Sequence, residues 1–142
     1  HMSQLTKEQI KQELQTAHQK VKDLTGTDME LFRPPFGEYD NKTIEAAQET
    51  GYYTIQWDVD SLDWKELGAE HEINQVLNHK HLGNGSIILF HNDAKYTPQV
   101  LDSIIKGLKQ KGYEIVPISE IIIRDNYEID HEGRQKQKSS DN

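Results

Sequence analysis

Leu31-Phe32-Arg33-Pro34-Pro35-Phe36-Gly37 decides the fold, because here an apolar strand delivers an arginine directly into two prolines and a glycine. Pro34 keeps the preceding residue extended and Pro35 stiffens the turn that follows, so the strand end is rigid and charged. Two further strand ends carry chemically loaded residues: Trp57-Asp58-Val59-Asp60-Ser61-Leu62-Asp63-Trp64 and Leu89-Phe90-His91-Asn92-Asp93. Three charged strand exits on a chain of 142 residues predict an active site or part of one.

Helices and strands alternate on either side of that first exit. Thr6-Lys7-Glu8-Gln9 reads as a capping box, followed by Ile10, Leu14, Ala17, Val21 and Leu24 on one helical face that ends near Gly26. A strand over residues 29–32 comes next, and Asp40 or Asn41 then caps a helix over Ile44, Ala47 and Thr50 that stops at Gly51. Residues 52–57 form the next strand, and Ile73, Val76 and Leu77 mark a third helix. Gly83-Asn84-Gly85 turns the chain into a strand over residues 86–90. Thr97-Pro98 opens a fourth helix with Val100, Leu101, Ile104, Ile105 and Leu108 inward and Gly112 at its end. A last strand over residues 113–117 and a short apolar helix over 118–123 close the pattern.

Strands recurring every roughly 25 to 30 residues with helices between them give an α/β fold, a parallel sheet made by right-handed crossovers. Function then belongs at the carboxyl ends of the strands, where all three loaded segments fall. Residues 1–2 read as a cloning remnant, residues 3–125 as the folded domain, and the polar residues 126–142 as a disordered tail.

Composition narrows the partners. With 24 acidic against 16 basic residues the net charge is −8, which repels phosphate backbones, so nucleic acid is not expected as a partner. Mean hydropathy is −0.85, and no apolar run approaches the roughly 20 residues that span a bilayer, so no membrane span is expected. There is no cysteine, which rules out disulfides and thiol chemistry.

Arg33, fixed by the prolines, can orient a carboxylate through a two-pronged hydrogen bond, or it can bridge a loop as a structural ion pair. Asp58, Asp60 and Asp63 form a dense acidic group beside two tryptophans, in a pattern that lacks the glycine and distal glutamate of a calcium loop. At least one of the three is expected to cap a turn. Trp64 can wall a sugar pocket or close the edge of a core. His91 ends an apolar strand, where a carboxylate such as Asp63 within reach favours its protonated form, a general acid. Read alone, it is more often a satisfied, partly buried histidine. His79 and His81 stand two apart, too weak a spacing to name a metal site. No Gly-x-Ser-x-Gly elbow, Walker sequence or dinucleotide fingerprint is present.

Taken together, these segments resemble the polysaccharide deacetylase family, carbohydrate esterase family four. Its third motif resembles Arg33-Pro34-Pro35-Phe36, its fourth Asp60-Ser61-Leu62-Asp63-Trp64 and its fifth Leu89-Phe90-His91. The resemblance implies half of a distorted (β/α) barrel and a metal-dependent hydrolase that removes acetyl groups from N-acetylglucosamine polymers such as peptidoglycan or chitin, in the cell envelope or outside the cell. Arg33 would orient a catalytic aspartate, the Phe36 backbone amide would line the oxyanion site, and His91 would protonate the departing amine. Asp63 would tune His91, and Trp64 with Leu89 would form the acetyl pocket.

Two of the family's motifs have no counterpart. No Asp-Asp pair occurs, and no His-x-x-x-His precedes Arg33. The divalent metal of the family, zinc or similar, is therefore expected on a separate amino-terminal half, with no metal on this chain and no activity alone. The alternative is a non-catalytic carbohydrate-binding or scaffolding domain. A new metal site built from Asp58, Asp60, His79 or His81 is a third possibility, with no known ligand spacing behind it. A half barrel also leaves open strand edges, from which self-association is expected.

Overall fold

A computed structural model describes residues 1–138 of the chain, which divide into two units, residues 1–56 and residues 57 onward. No helix among the described residues is long and apolar enough to cross a membrane.

In the first unit, helix α1 (Lys7–Thr25) starts at the capping box read from the sequence. The Thr6 hydroxyl accepts the Gln9 N–H while the Gln9 side chain accepts the Thr6 N–H. Gly26, in left-handed backbone, ends the helix. Strand β1 (Leu31–Phe32) pairs in parallel with β2 (Tyr53–Thr54), Leu31 opposite Tyr53. Between them runs helix α2 (Asn41–Glu49), whose cap Asp40 accepts both the N–H and the hydroxyl of Thr43. Ile10, Leu14, Phe32, Ala46, Ala47 and Tyr52 form one buried cluster. The expected stripe on α1 is buried only at Ile10 and Leu14, and Leu24 is 84% exposed because the last turns run past the cluster.

In the second unit, β3 (Val59–Asp60) pairs in parallel with β4 (Ile88–Leu89), Asp60 opposite Leu89, with helix α3 (Ala69–Leu77) as the crossover. Helix α4 (Thr97–Gln110) follows β4. Val76 of α3 and Val100, Ile104 and Leu108 of α4 form the core. The two helices approach closely at Gly107, where an added Cβ would lie 2.6 Å from Leu77 Cδ1. The Arg33 segment leaves the carboxyl end of β1, and the other two loaded segments leave the carboxyl ends of β3 and β4.

Two expectations need correcting. Residues 113–117 pair with no described strand; residues 113–116 line, together with Ile88 of β4 and with α4, an apolar cavity of about 610 Å³. A strand needs a ladder partner as well as β-forming side chains, and the sequence supplied only the second. The predicted tail at 126–142 also begins as structure: β5 (Tyr127–Ile129) and β6 (Gln135–Gln137) make an antiparallel hairpin. Its turn closes on Asp130, which accepts the backbone N–H groups of Glu132 and Arg134, and the Gln135 side chain bonds both backbone groups of Ile123. Arg134 reaches Asp58 at 3.3 Å. These polar contacts order a segment too poor in apolar residues to look folded. Residues 139–142 of the expected tail lie outside the described residues.

Candidate functional site

The chain leaving β3 is wound tightly by its own side chains. The Asp60 carboxylate accepts the Leu62 N–H, and the Ser61 hydroxyl accepts the Asp63 N–H. Leu62 takes left-handed backbone (φ 56°), which turns Asp63 inward to start a single 3-10 turn over Asp63–Lys65. The Asp63 side chain is thereby fully buried, and it meets the exit of β4.

Three donors converge on that carboxylate. Asp63 Oδ1 accepts from His91 Nδ1 at 2.8 Å, and Oδ2 accepts the His91 backbone N–H at 2.8 Å and the Thr97 hydroxyl at 3.0 Å. Burial pushes the carboxyl up, but the His91 backbone N–H, the His91 ring and the Thr97 hydroxyl outweigh it and hold Asp63 below its ordinary value. The His91 side chain is 38% exposed, and with Nδ1 turned inward its Nε2 atom has no hydrogen-bond partner among the described residues. An ionised acid, a histidine oriented through one nitrogen and a second nitrogen turned away from that acid form an arrangement that can pass a proton.

The other predicted residues fall as follows. Leu89 is buried in β4 two residues before His91, and Trp64, next to Asp63, is 57% exposed. Arg33 and Phe36 belong to the first unit. Arg33 directly follows β1, is exposed, and makes no ion pair with a described residue, while Pro34 behind it is fully buried. The loop-bridging alternative for Arg33 thus finds no partner among the described residues. Phe36 takes left-handed backbone (φ 59°), a strained setting for a bulky residue, and its ring is 78% exposed.

The neighbouring aspartates are structural. Asp58 accepts from the Ile87 N–H and the Ser86 hydroxyl, and Asp60 caps the turn. His79 Nδ1 accepts the backbone N–H of His81. No group of three His, Asp or Glu side chains among the described residues could hold a metal ion. The described residues therefore do not fit the divalent metal that the resemblance implies, and the Asp58, Asp60, His79 and His81 alternative does not form.

Sequence reasoning missed Thr97 and Glu72. Thr97 has the residue type and the place beside Pro98 of a helix cap, but Tyr96 takes the cap position and the Thr97 hydroxyl bonds Asp63 and, at 2.6 Å, Glu72 Oε1. Glu72 lies four residues before buried Val76, on the same face of α3, and that spacing was the available signal that it faces inward.

Residues 1–55 match the polysaccharide deacetylase family. A peptidoglycan-N-acetylglucosamine deacetylase of Bacillus cereus is 37% identical over 97 residues, 65% of this chain and 45% of that protein. A solved family 4 pseudoenzyme of Bacillus anthracis superposes with TM-score 0.75 at 29% identity, covering 83% of this chain and 41% of that one. A family 4 carbohydrate esterase of Streptomyces lividans, solved with acetate, superposes with TM-score 0.72 at 27% identity over 98% of this chain and 66% of that one. The chain spans about half the length, or less, of the curated relatives it matches. It belongs to the polysaccharide deacetylase family and is a partial domain of that fold, with parallel strands alternating with helices and no closed barrel among the described residues.

Proposed function

We propose that this chain supplies the proton-donor side of a deacetylase that hydrolyses acetamido groups of N-acetylglucosamine polymers, peptidoglycan above all, at the cell wall. The observation that carries the reading is the buried Asp63 holding His91 by both its ring and its backbone N–H at a strand exit. As the acetyl C–N bond breaks, His91 Nε2 delivers its proton to the departing sugar nitrogen, and the carbonyl carbon keeps the oxygen of the attacking water. Asp63 keeps the proton on Nδ1 and stabilises the imidazolium before transfer. Arg33 orients a carboxylate base, the Phe36 backbone amide faces the oxyanion, and Trp64 with Leu89 borders the acetyl group. The groups that activate the water, the metal included, are supplied from outside the described residues, so the chain alone does not turn over.

The test is a chimera in which the amino-terminal half of the Bacillus cereus relative precedes Ser3. The expected result is metal-dependent acetate release from N-acetylglucosamine oligomers, abolished by His91→Ala. A folded, metal-loaded chimera that releases no acetate refutes the reading. The similarity to a pseudoenzyme and the exposed Trp64 ring favour a second reading, a domain that binds the polysaccharide without cleaving it. That reading expects saturable oligosaccharide binding by this chain alone, lost in Trp64→Ala.

A further inference from the structure

Behind the Asp63–His91 pair stands a second buried carboxyl. Glu72 is 2% exposed; its Oε1 lies 2.6 Å from the Thr97 hydroxyl, and its Oε2 has no hydrogen-bond partner among the described residues. The same hydroxyl lies 3.0 Å from Asp63 Oδ2. A threonine hydroxyl carries one proton and donates one hydrogen bond, so it cannot donate to two carboxylates at once. One of the two acids must hold a proton and donate it to Thr97 Oγ1.

The neighbours decide which. Asp63 accepts two donors from His91, from the ring and from the backbone, so its charge is compensated and it is held below its ordinary value. Glu72 has no such compensation: Thr97 is its one hydrogen-bond partner among the described residues, and an ionised carboxylate buried with one oxygen unsatisfied is the costlier arrangement. The position of Glu72 in the first turns of α3 favours a negative charge, but that effect is weaker than losing its hydration.

We propose that Glu72 is a neutral carboxylic acid that donates to Thr97, so that Thr97 donates to ionised Asp63, which accepts from His91 and so orients its ring. Every proton in this chain is counted: Glu72 O–H to Thr97 Oγ1, Thr97 O–H to Asp63 Oδ2, His91 Nδ1–H to Asp63 Oδ1. None of them moves during catalysis. Glu72 and Thr97 are positioning residues, which set the direction of each bond behind the histidine. As a statement about catalysis this rests on the deacetylase reading above; the place of the proton does not.

The test therefore uses this chain alone, without substrate or metal. Infrared spectra at neutral pH should show a protonated-carboxyl C=O stretch that shifts in D2O and disappears in Glu72→Gln. Carboxyl carbon NMR should show the Asp63 titration moving to higher pH in Thr97→Val, since the variant removes one of the donors that hold its charge. In Glu72→Gln and Thr97→Ser, which keep a donor to or from Oγ1, the Asp63 titration should stay in place. These two near-isosteric variants keep the test open should Thr97→Val fail to fold. An ionised Glu72 at neutral pH overturns the proposal. So does an Asp63 titration that is unmoved in folded Thr97→Val, since the hydroxyl would then be donating to Glu72, or one that moves in Thr97→Ser. A chimera without deacetylase activity would leave these spectra unaffected, so the two readings fail separately.

Discussion

Asp63→Asn is the sharpest perturbation of the site because it changes one oxygen to an amide nitrogen and almost no volume. Asp63 accepts three hydrogen bonds, and a buried asparagine offers one oxygen. That oxygen must stay with the His91 backbone N–H and Thr97, since the backbone donor cannot change its character. The amide nitrogen then faces His91 Nδ1, and the ring must move its proton to Nε2 to accept. Bonds to a charged partner contribute about 1.5 to 3 kcal/mol against about 1 for neutral ones, so losing the charge costs about 2 to 3 kcal/mol. For 142 residues the unfolding entropy is about 0.3 kcal/mol/K, which makes the expected fall in Tm roughly 7 to 10 °C at pH 7. The sign with pH follows from the depressed Asp63 carboxyl. Its contribution is complete above the unfolded carboxyl range near about pH 4 and is lost as pH falls through the folded value, so the gap between wild type and variant should close in acid. Calorimetry across pH and ring 15N shifts of His91 measure the two consequences. A gap that persists unchanged at low pH, or a His91 that keeps its proton on Nδ1, refutes the reasoning.

Three further outcomes are expected. His91→Ala should cost this chain about 1 to 3 kcal/mol, because buried Asp63 Oδ1 loses its donor while the bond from the backbone N–H of residue 91 survives on Oδ2, and should lower acetate release by the chimera by about 10² to 10⁴, as a lost general acid does. Denaturant titration and acetate assay separate the two effects, and acetate release that falls no further than the folded fraction would make the ring structural instead. Gly107→Val should cost about 1 to 3 kcal/mol by overpacking, since its Cβ would meet the Leu77 side chain, and equal midpoints in urea would contradict the close approach of α3 and α4. Among the described residues each parallel sheet has two strands and hence open edges, so sedimentation should show concentration-dependent association; a species that stays monomeric at high concentration would mean the edges are protected.

What the sequence made legible was local. The Thr6 capping box, the Gly26 stop, the Asp40 cap and the Pro98 entry to α4 are each decided by residues within one turn of one another, and each stands in the fold. The Asp63–His91 pair was legible because both residues sit at strand ends, and parallel topology gathers strand ends. Pairing partners were not legible. Residues 113–117 have strand composition without a strand beside them, and residues 126–138 have tail composition yet close a hairpin through Asp130, Arg134 and Gln135. Thr97 shows the same limit from the other side: its sequence position announces a cap, and its hydroxyl is taken instead by two carboxyls that arrive from elsewhere in the chain.

Four acids near two strand exits illustrate why residue type alone does not assign a role. Asp58, Asp60, Asp63 and Glu72 carry the same functional group, and the donors around each one separate them. Asp58 meets a backbone N–H, a serine and an arginine, which tie β3 to β4 and to the hairpin. Asp60 meets the N–H two residues ahead and shapes the turn that buries Asp63. Asp63 is the one of the four bonded to a titratable ring, and Glu72 meets a hydroxyl that already serves Asp63. On the proposed reading, a proton donor at His91 draws on all four: two carboxylates build the corner, one holds the ring, and one acid, kept neutral, holds the holder.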